Sequence, residues 1–199
     1  MMTLYSIGIS PFGRKIKVLL KELGMENQVE VKPTQTLEDP AFLISANPLG
    51  KIPVLKTPDY GDISNSPLIA RYLIERAGPQ AAVKADWEAL KLEALCDGAL
   101  EAALLLVYRK RFDLVGGDTY FQRQADKVRR TLDRLEALAS GFTAGEGVPT
   151  LGEIQVVVLA EYLAFRQPVG DWRDGRPQLS AFVDRMAARP SFLATQPAD

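Results

Sequence analysis

The hydrophobic pattern of this chain changes once, at Ala77-Gly78-Pro79-Gln80, and that change limits the folds open to it. Before the break, short runs of strand formers alternate with helical runs; after it, every patterned segment has helical spacing. Thr3 to Ile9 has the composition of a strand, and Pro11 opens a helical run carrying Phe12, Ile16, Leu19, Leu20 and Leu23, closed by Gly24. Gln28 to Lys32 alternates Val29 and Val31 with charge as a second strand, and Pro40 to Ala46 is a short helix before Asn47-Pro48. Ile52 to Thr57 and Asp62 to Ser64 flank a turn at Pro58-Asp59-Tyr60-Gly61 and make a hairpin. Ser66-Pro67 then starts a helix through Leu68, Ile69, Tyr72 and Leu73, with Ser66 as the expected cap. The order β-α-β-α-β-β-α predicts mixed parallel and antiparallel strands with helices on both faces.

Past the break, Asp86 to Arg111 and Asp118 to Ser140 are long helices, the second with Phe121, Ala125, Val128, Leu132, Leu135 and Ala139 on one stripe. Thr150-Leu151-Gly152-Glu153 fits a capping box, in which the threonine caps the Glu153 N–H and the glutamate reaches back. The segment it opens, Ile154 to Phe165, is apolar nearly all round, as a buried central helix must be. Pro177 to Ala188 is the last helix, stopped by Arg189-Pro190. The expected domains are therefore 1–78, mixed α/β, and 86–199, all helical.

Charge and cysteine content exclude several functions. With 24 basic and 25 acidic residues in 199, no net field draws the chain to nucleic acid or to an anionic membrane. One cysteine, Cys96, forbids an internal disulfide and is expected to pack inside the helical domain. No basic and apolar leader opens the sequence, so a cytoplasmic location is expected. Without histidine and with a single thiol, no metal site is expected.

Chemistry concentrates at Ser10-Pro11-Phe12-Gly13, where the first strand hands over to the first helix. A serine is a poor nucleophile without a strong base, and the chain has no histidine to act as one. Its hydroxyl can instead donate to a thiolate brought by a cosubstrate, lowering that thiol's pKa by favouring the charged form. The N-terminus of the following helix favours the same charge.

The motifs resemble the cytosolic glutathione transferases along essentially the whole chain. Ser10-Pro11-Phe12-Gly13-Arg14-Lys15, Asn47-Pro48-Leu49-Gly50-Lys51-Ile52-Pro53-Val54-Leu55 and Ile63-Ser64-Asn65-Ser66-Pro67-Leu68-Ile69-Ala70-Arg71-Tyr72-Leu73 carry the likeness by their order and spacing. The capping box at Thr150 and the closing Arg189-Pro190-Ser191-Phe192 resemble the family's second domain. The resemblance implies a thioredoxin-like first domain with serine where redox relatives carry the first cysteine of Cys-Pro-x-Cys, and an all-α second domain. It implies reduced glutathione as cosubstrate, bound through Ser10, Phe12, Lys51, Ile52, Pro53, Asn65 and Ser66. Pro53 would follow a cis peptide bond, leaving the Ile52 N–H and C=O to pair with the cysteinyl part of glutathione like an added strand. Ser66 would hold the γ-glutamyl carboxylate at its helix N-terminus. Asn65 departs from the acidic residue or glutamine usual there and brings no charge to the glutathione ammonium. Lys51 would reach the glycine carboxylate.

Ser10 is the expected thiol activator, with Tyr5 and then Ser6 as alternatives. The electrophile pocket, placed by resemblance between the domains, would be walled by Ile9, Phe12, Tyr108 and Phe112, with Arg109 and Arg111 as candidates to meet an anionic substrate. The expected function is transfer of the glutathione thiol to a small hydrophobic electrophile or reduction of an organic peroxide. The alternative is a non-catalytic glutathione-binding or protein-interaction module on the same fold. A glutathione-dependent reductase of this superfamily needs an active cysteine, against which Ser10 argues. The fold implies a homodimer, and Tyr60 on the hairpin turn is the aromatic expected to insert into the partner.

Overall fold

The computed structural model describes residues 1–142 and 147–197. The first half of the chain contains β1 (Met2–Ser6), α1 (Pro11–Glu22), β2 (Val29–Pro33), α2 (Ala41–Ala46), β3 (Val54–Thr57), β4 (Gly61–Ser64) and α3 (Ser66–Ala77). The second contains α4 (Trp87–Arg111), α5 (Asp118–Leu138), α6 (Leu151–Arg166), α7 (Pro177–Ala187) and the single turn α8 (Pro190–Leu193). Two compact units result, Met1–Ala85 together with the chain from Pro190, and Asp86–Arg189.

The first unit is built on a four-stranded sheet of order β2-β1-β3-β4, with β1 and β2 parallel and the other pairs antiparallel. Along β1, Met2, Leu4 and Ser6 are buried while Thr3 and Tyr5 are half-exposed, the alternation of a strand with one face in the core. The strand ends at Ser6 and not at the expected Ile9, because Ile7 to Ser10 close a turn in which the Ser10 N–H donates to the Ile7 carbonyl at 3.2 Å. The third strand begins at Val54 and not at Ile52, since Pro53 has no N–H to give a ladder. Helix α1 buries Ile16, Val18, Leu19 and Leu20 and packs against α3, which contributes Ile69, Ala70 and Leu73.

Ser66 is not the cap of α3. Asn65 holds that position at φ +75°, and its Oδ1 accepts from the Leu68 N–H at 3.3 Å. Asparagine tolerates this left-handed backbone and carries the short carbonyl that a cap needs, so Ser66 moves into the first turn.

The C-terminal boundary also differs from the expectation, which ran the helical domain to residue 199. From Pro190 the chain belongs with the first unit. Phe192 is fully buried, its carbonyl accepts from Arg14 Nη2 at 3.4 Å, and the Arg14 guanidinium lies 5.8 Å from its ring centre. Ser191 Oγ donates to Glu22 Oε1, fixing α8 against the end of α1.

In the second unit α6 is the central helix. Leu151 to Ala160, Tyr162 and Leu163 are all buried, and the capping box at Thr150 is complete, with Thr150 N–H donating to Glu153 Oε2 at 2.7 Å and Glu153 N–H to Thr150 Oγ1 at 3.2 Å. Helices α4 and α6 run side by side: Gly152 faces the Ala89 carbonyl, and Gln155 Nε2 donates to Asp97 Oδ1 at 2.5 Å. Helix α5 buries Ala125, Val128, Leu132 and Leu135, with Phe121 only half covered, and tightens into a 3₁₀ turn at Ala139–Gly141. Glu136 on α5 accepts from the Gln178 and Leu179 N–H groups at 3.1 and 2.7 Å, so the first turn of α7 is capped by a neighbouring helix.

Candidate active site

Strand register brings most of the candidate residues of the first unit to one end of its sheet. Tyr5, near the end of β1, pairs with Val54 at the start of β3, and Val54 pairs with Ser64 at the end of β4. The loops leaving these points carry Ser10, the Ile52-Pro53 turn, and Asn65-Ser66. The Ile52–Pro53 bond is cis, as expected. Pro53 is buried and Ile52 half-buried, and no backbone hydrogen bond to Ile52 is found among the described residues. Lys51 is exposed beside this turn, its carbonyl held by Asn47 Nδ2 at 2.8 Å.

Ser10 is the N-cap of α1. Its backbone is extended, at φ −77° and ψ 117°, and its Oγ accepts from the Gly13 N–H at 3.1 Å. A capping hydroxyl spends a lone pair and keeps its proton, so Ser10, half-exposed, still has an O–H to donate. Pro11 at the first helical position has no N–H to compete for the cap.

The alternatives to Ser10 are placed differently. The Tyr5 ring packs at 5.3 Å from Phe42, an apolar contact on the sheet. Ser6 is 1% exposed, and its Oγ has no hydrogen-bond partner among the described residues. It lies where a β-carbon on Gly13 would stand, 1.9 Å away, so only glycine fits at Gly13 while Ser6 keeps this position.

At the start of α3, capping by Asn65 leaves the buried Ser66 hydroxyl with no hydrogen bond among the described residues. Its N–H also sits in the first turn, where backbone donors lack helical partners. This terminus of a 12-residue helix therefore offers a hydroxyl and amides to an anion. Phe12 and Ile9 are half-exposed on the loop and first turn beside Ser10.

In the second unit Tyr108 and Phe112, at the end of α4, are 37% and 47% exposed with ring centres 5.7 Å apart. Arg109 is committed elsewhere: it pairs with Asp118 and stacks on Phe121 at 4.4 Å, so its charge ties α4 to α5. Arg111 lies 5.7 Å from the Phe112 ring. Sequence reasoning missed Tyr162 and Arg166 on the facing end of α6. Tyr162 is 3% exposed, and burial pushes its phenol up to about 12, with Tyr108 adding to the rise. A hydrogen bond from Arg166 and the charge of that guanidinium act the other way. The apolar run Ile154 to Phe165 marked Tyr162 only as part of a core helix and stopped one residue short of Arg166. Cys96 is fully buried. Among the described residues no group of three or more His, Cys, Asp or Glu side chains is placed to hold a metal ion, and no helix is long and apolar enough to cross a membrane.

A thioredoxin-like α/β unit whose cis-proline turn and capping serine share one sheet end, followed by a helical unit, defines a class of protein, and comparison with known proteins gives its family. Residues 9–76 match the family model for the glutathione S-transferase N-terminal domain and residues 118–185 that for the C-terminal domain. An uncharacterized GST-like protein, YibF of Escherichia coli strain K12, is 32% identical over 94% of this chain and 95% of its own. The chain belongs to the glutathione S-transferase family. Among solved structures, a glutathione transferase family member from Pseudomonas fluorescens Pf-5 with bound glutathione is similar at 33% identity and a TM-score of 0.90, with both chains fully covered. A structure from the same source with bound S-(propanoic acid)-glutathione is similar at 32% identity and 0.86, again with full coverage.

Proposed function

We propose that this protein binds reduced glutathione along its first unit and transfers the thiol to a small electrophile. The observation that carries this reading is the state of Ser10: its oxygen is used as the cap of α1 while its proton remains available, at the sheet end that also carries the Ile52-Pro53 turn and Ser66. A thiolate seated there receives the Ser10 O–H and faces the positive end of α1, and both favour the charged form over the thiol. The γ-glutamyl carboxylate goes to Ser66 and the first-turn amides of α3, the cysteinyl backbone to Ile52, and the glycine carboxylate to Lys51. Phe12 and Ile9, half-exposed beside Ser10, cover the sulfur. In the reaction the sulfur forms a bond to an electrophilic carbon and the displaced pair leaves on the leaving group or collects a proton; with an organic peroxide the sulfur attacks one peroxide oxygen, the O–O bond breaks and its pair leaves as the alcohol, and a second glutathione converts the sulfenic acid so formed to glutathione disulfide and water. Binding supplies proximity and the Ser10 donor supplies reactivity. Relatives that hold glutathione and one of its carboxylate-bearing thioethers support the choice of cosubstrate. The working state is a cytoplasmic homodimer.

Asn65 favours a second reading. Its oxygen is engaged as a cap and it brings no charge to the glutathione ammonium, as suits a glutathione-binding or interaction module without turnover. Steady-state conjugation assays separate the two. The transferase reading expects Ser10→Ala to lower kcat by about tenfold or more with a smaller change in the KM for glutathione. Turnover equal in the two proteins would remove Ser10 from the mechanism, and no turnover in wild type with any electrophile would favour the module.

A further inference from the structure

Helix α5 carries charge that its own packing does not use. Its four acids are all committed: Asp118 pairs with Arg109 on α4, Asp126 with Arg129 at 3.3 Å and Asp133 with Arg176 at 2.6 Å, while Glu136 accepts from the Gln178 and Leu179 N–H groups of α7. The cations are not matched in the same way. Lys127 donates only to the neutral Gln124 Oε1, at 2.8 Å, and Arg123, Arg130 and Arg134 are exposed with no hydrogen bond or ion pair among the described residues. These four recur at i, i+4, i+7 and i+11. At 3.6 residues per turn they lie within about 60° of one another and run about 16 Å along the axis. Like charges one turn apart repel, so the row costs the free protein stability. It is also firmly held, because Ala125, Val128, Leu132 and Leu135 fix the opposite side of α5 in the core.

We propose that this face of α5 docks an acidic helix of a partner protein whose carboxylates repeat at the same i, i+4, i+7 and i+11 spacing, one opposite each cation. The spacing reads the same in both directions, so parallel and antiparallel partner helices both fit. Three of the four cations are arginines, whose planar fork grips a carboxylate with two N–H groups. Tyr120, 52% exposed and three residues before Arg123, offers a ring to an apolar side chain at one end of the docked helix. A nucleic acid strand fits less well. No aromatic residue stands between Arg123 and Arg134 to stack on bases, and Asp126 and Asp133 flank the row where a phosphate backbone would pass. A lipid surface fits less well too, since a membrane-lying helix needs apolar residues beside its cations and those of α5 are spent on the core. With a net charge of −1 the chain has no general positive field, so the row acts by local complementarity. The proposal stands apart from the glutathione reading, because none of these residues is assigned to the thiol.

Fluorescence anisotropy on the full chain tests this with labelled alanine-rich helical peptides of about 20 residues. One carries glutamate at i, i+4, i+7 and i+11, and a second has the same composition with the four glutamates dispersed round the helix. Wild type is expected to bind the first about tenfold more tightly than the second at low salt, and to lose most of that preference as salt rises. The double variant Arg130→Gln, Arg134→Gln is expected to lose about tenfold in affinity for the first peptide with an unchanged urea midpoint, which shows that it is folded. Arg130→Glu is expected to regain binding when the facing glutamate of the peptide is changed to lysine. Equal binding of the two acidic peptides, no binding of the first at millimolar concentration, or full binding by the double variant would overturn the proposal. Tighter binding of a single-stranded oligonucleotide or of phosphatidylserine vesicles than of the first peptide would overturn it in favour of those partners.

Discussion

At the scale of single residues, the hydroxyl that caps α1 is the one we propose to hold a thiolate. Ser10→Ala removes the acceptor for the Gly13 N–H, and a lost N-cap costs about 1 kcal/mol, readable as a shift in the urea midpoint. Asn65 is similarly double. Asn65→Asp keeps the short acceptor over the Leu68 N–H and adds a charge at a helix N-terminus, so stability is held while glutathione affinity rises by up to about tenfold in calorimetry. Unchanged affinity would mean that the ammonium lies elsewhere. Gly152 has no such latitude. A β-carbon there would stand 2.6 Å from the Ala89 carbonyl oxygen and 2.8 Å from Leu92 Cβ, so Gly152→Ala must push α4 and α6 apart at a destabilisation of roughly 1 to 3 kcal/mol, measured by denaturant unfolding.

At the scale of elements, Tyr162 gives the helical unit an alkaline limit. Its phenol titrates at about 12 in the fold and near 10 when exposed, so the folded state holds this proton more tightly than the unfolded one. The stabilisation is complete below about pH 10, is lost as pH rises through about 12, and amounts to roughly 2 to 3 kcal/mol. Tyr162→Phe is expected to flatten that part of the stability profile in denaturant titrations, and an unchanged profile would contradict it. The elements themselves were legible wherever local chemistry decides them. The capping box at Thr150 and the apolar run of α6 leave one solution, and Ser10-Pro11 leaves one place for α1 to begin. What was hidden depends on partners distant in sequence. Asn65 and Ser66 are both acceptable caps, and the left-handed backbone at Asn65 chooses between them. The segment from Pro190 is only a short helical turn by its own pattern, and Arg14 and Glu22, far back in the chain, assign it to the first unit. Tyr162 lies inside the apolar run Ile154 to Phe165 and reads as core, and its neighbour Tyr108 comes from α4, a separate segment. Of the candidate site, the motif residues were readable one by one, and their gathering at one sheet end needed the β1-β3-β4 register.

At the scale of the molecule, each unit has its own core and the chain's near balance of charge leaves recognition to local groups. Tyr60 stands 75% exposed at the β3–β4 turn, edge-on to Tyr72 at 6.0 Å, where insertion into a second copy would cover it. Sedimentation at micromolar protein is expected to give the mass of a dimer, shifted toward monomer in Tyr60→Ala, and a monomeric wild type would remove the homodimer. The account depends most on what Ser10 does to a bound thiol. The direct measurement is an ultraviolet pH titration of thiolate absorbance for glutathione bound to wild type and to Ser10→Ala, with binding established by calorimetry in both. The account predicts that both proteins bind glutathione and that the thiol ionises at lower pH in wild type by about one unit or more, the scale of one lost hydrogen bond to a charge. Identical titration curves, or no binding at millimolar glutathione, would contradict it.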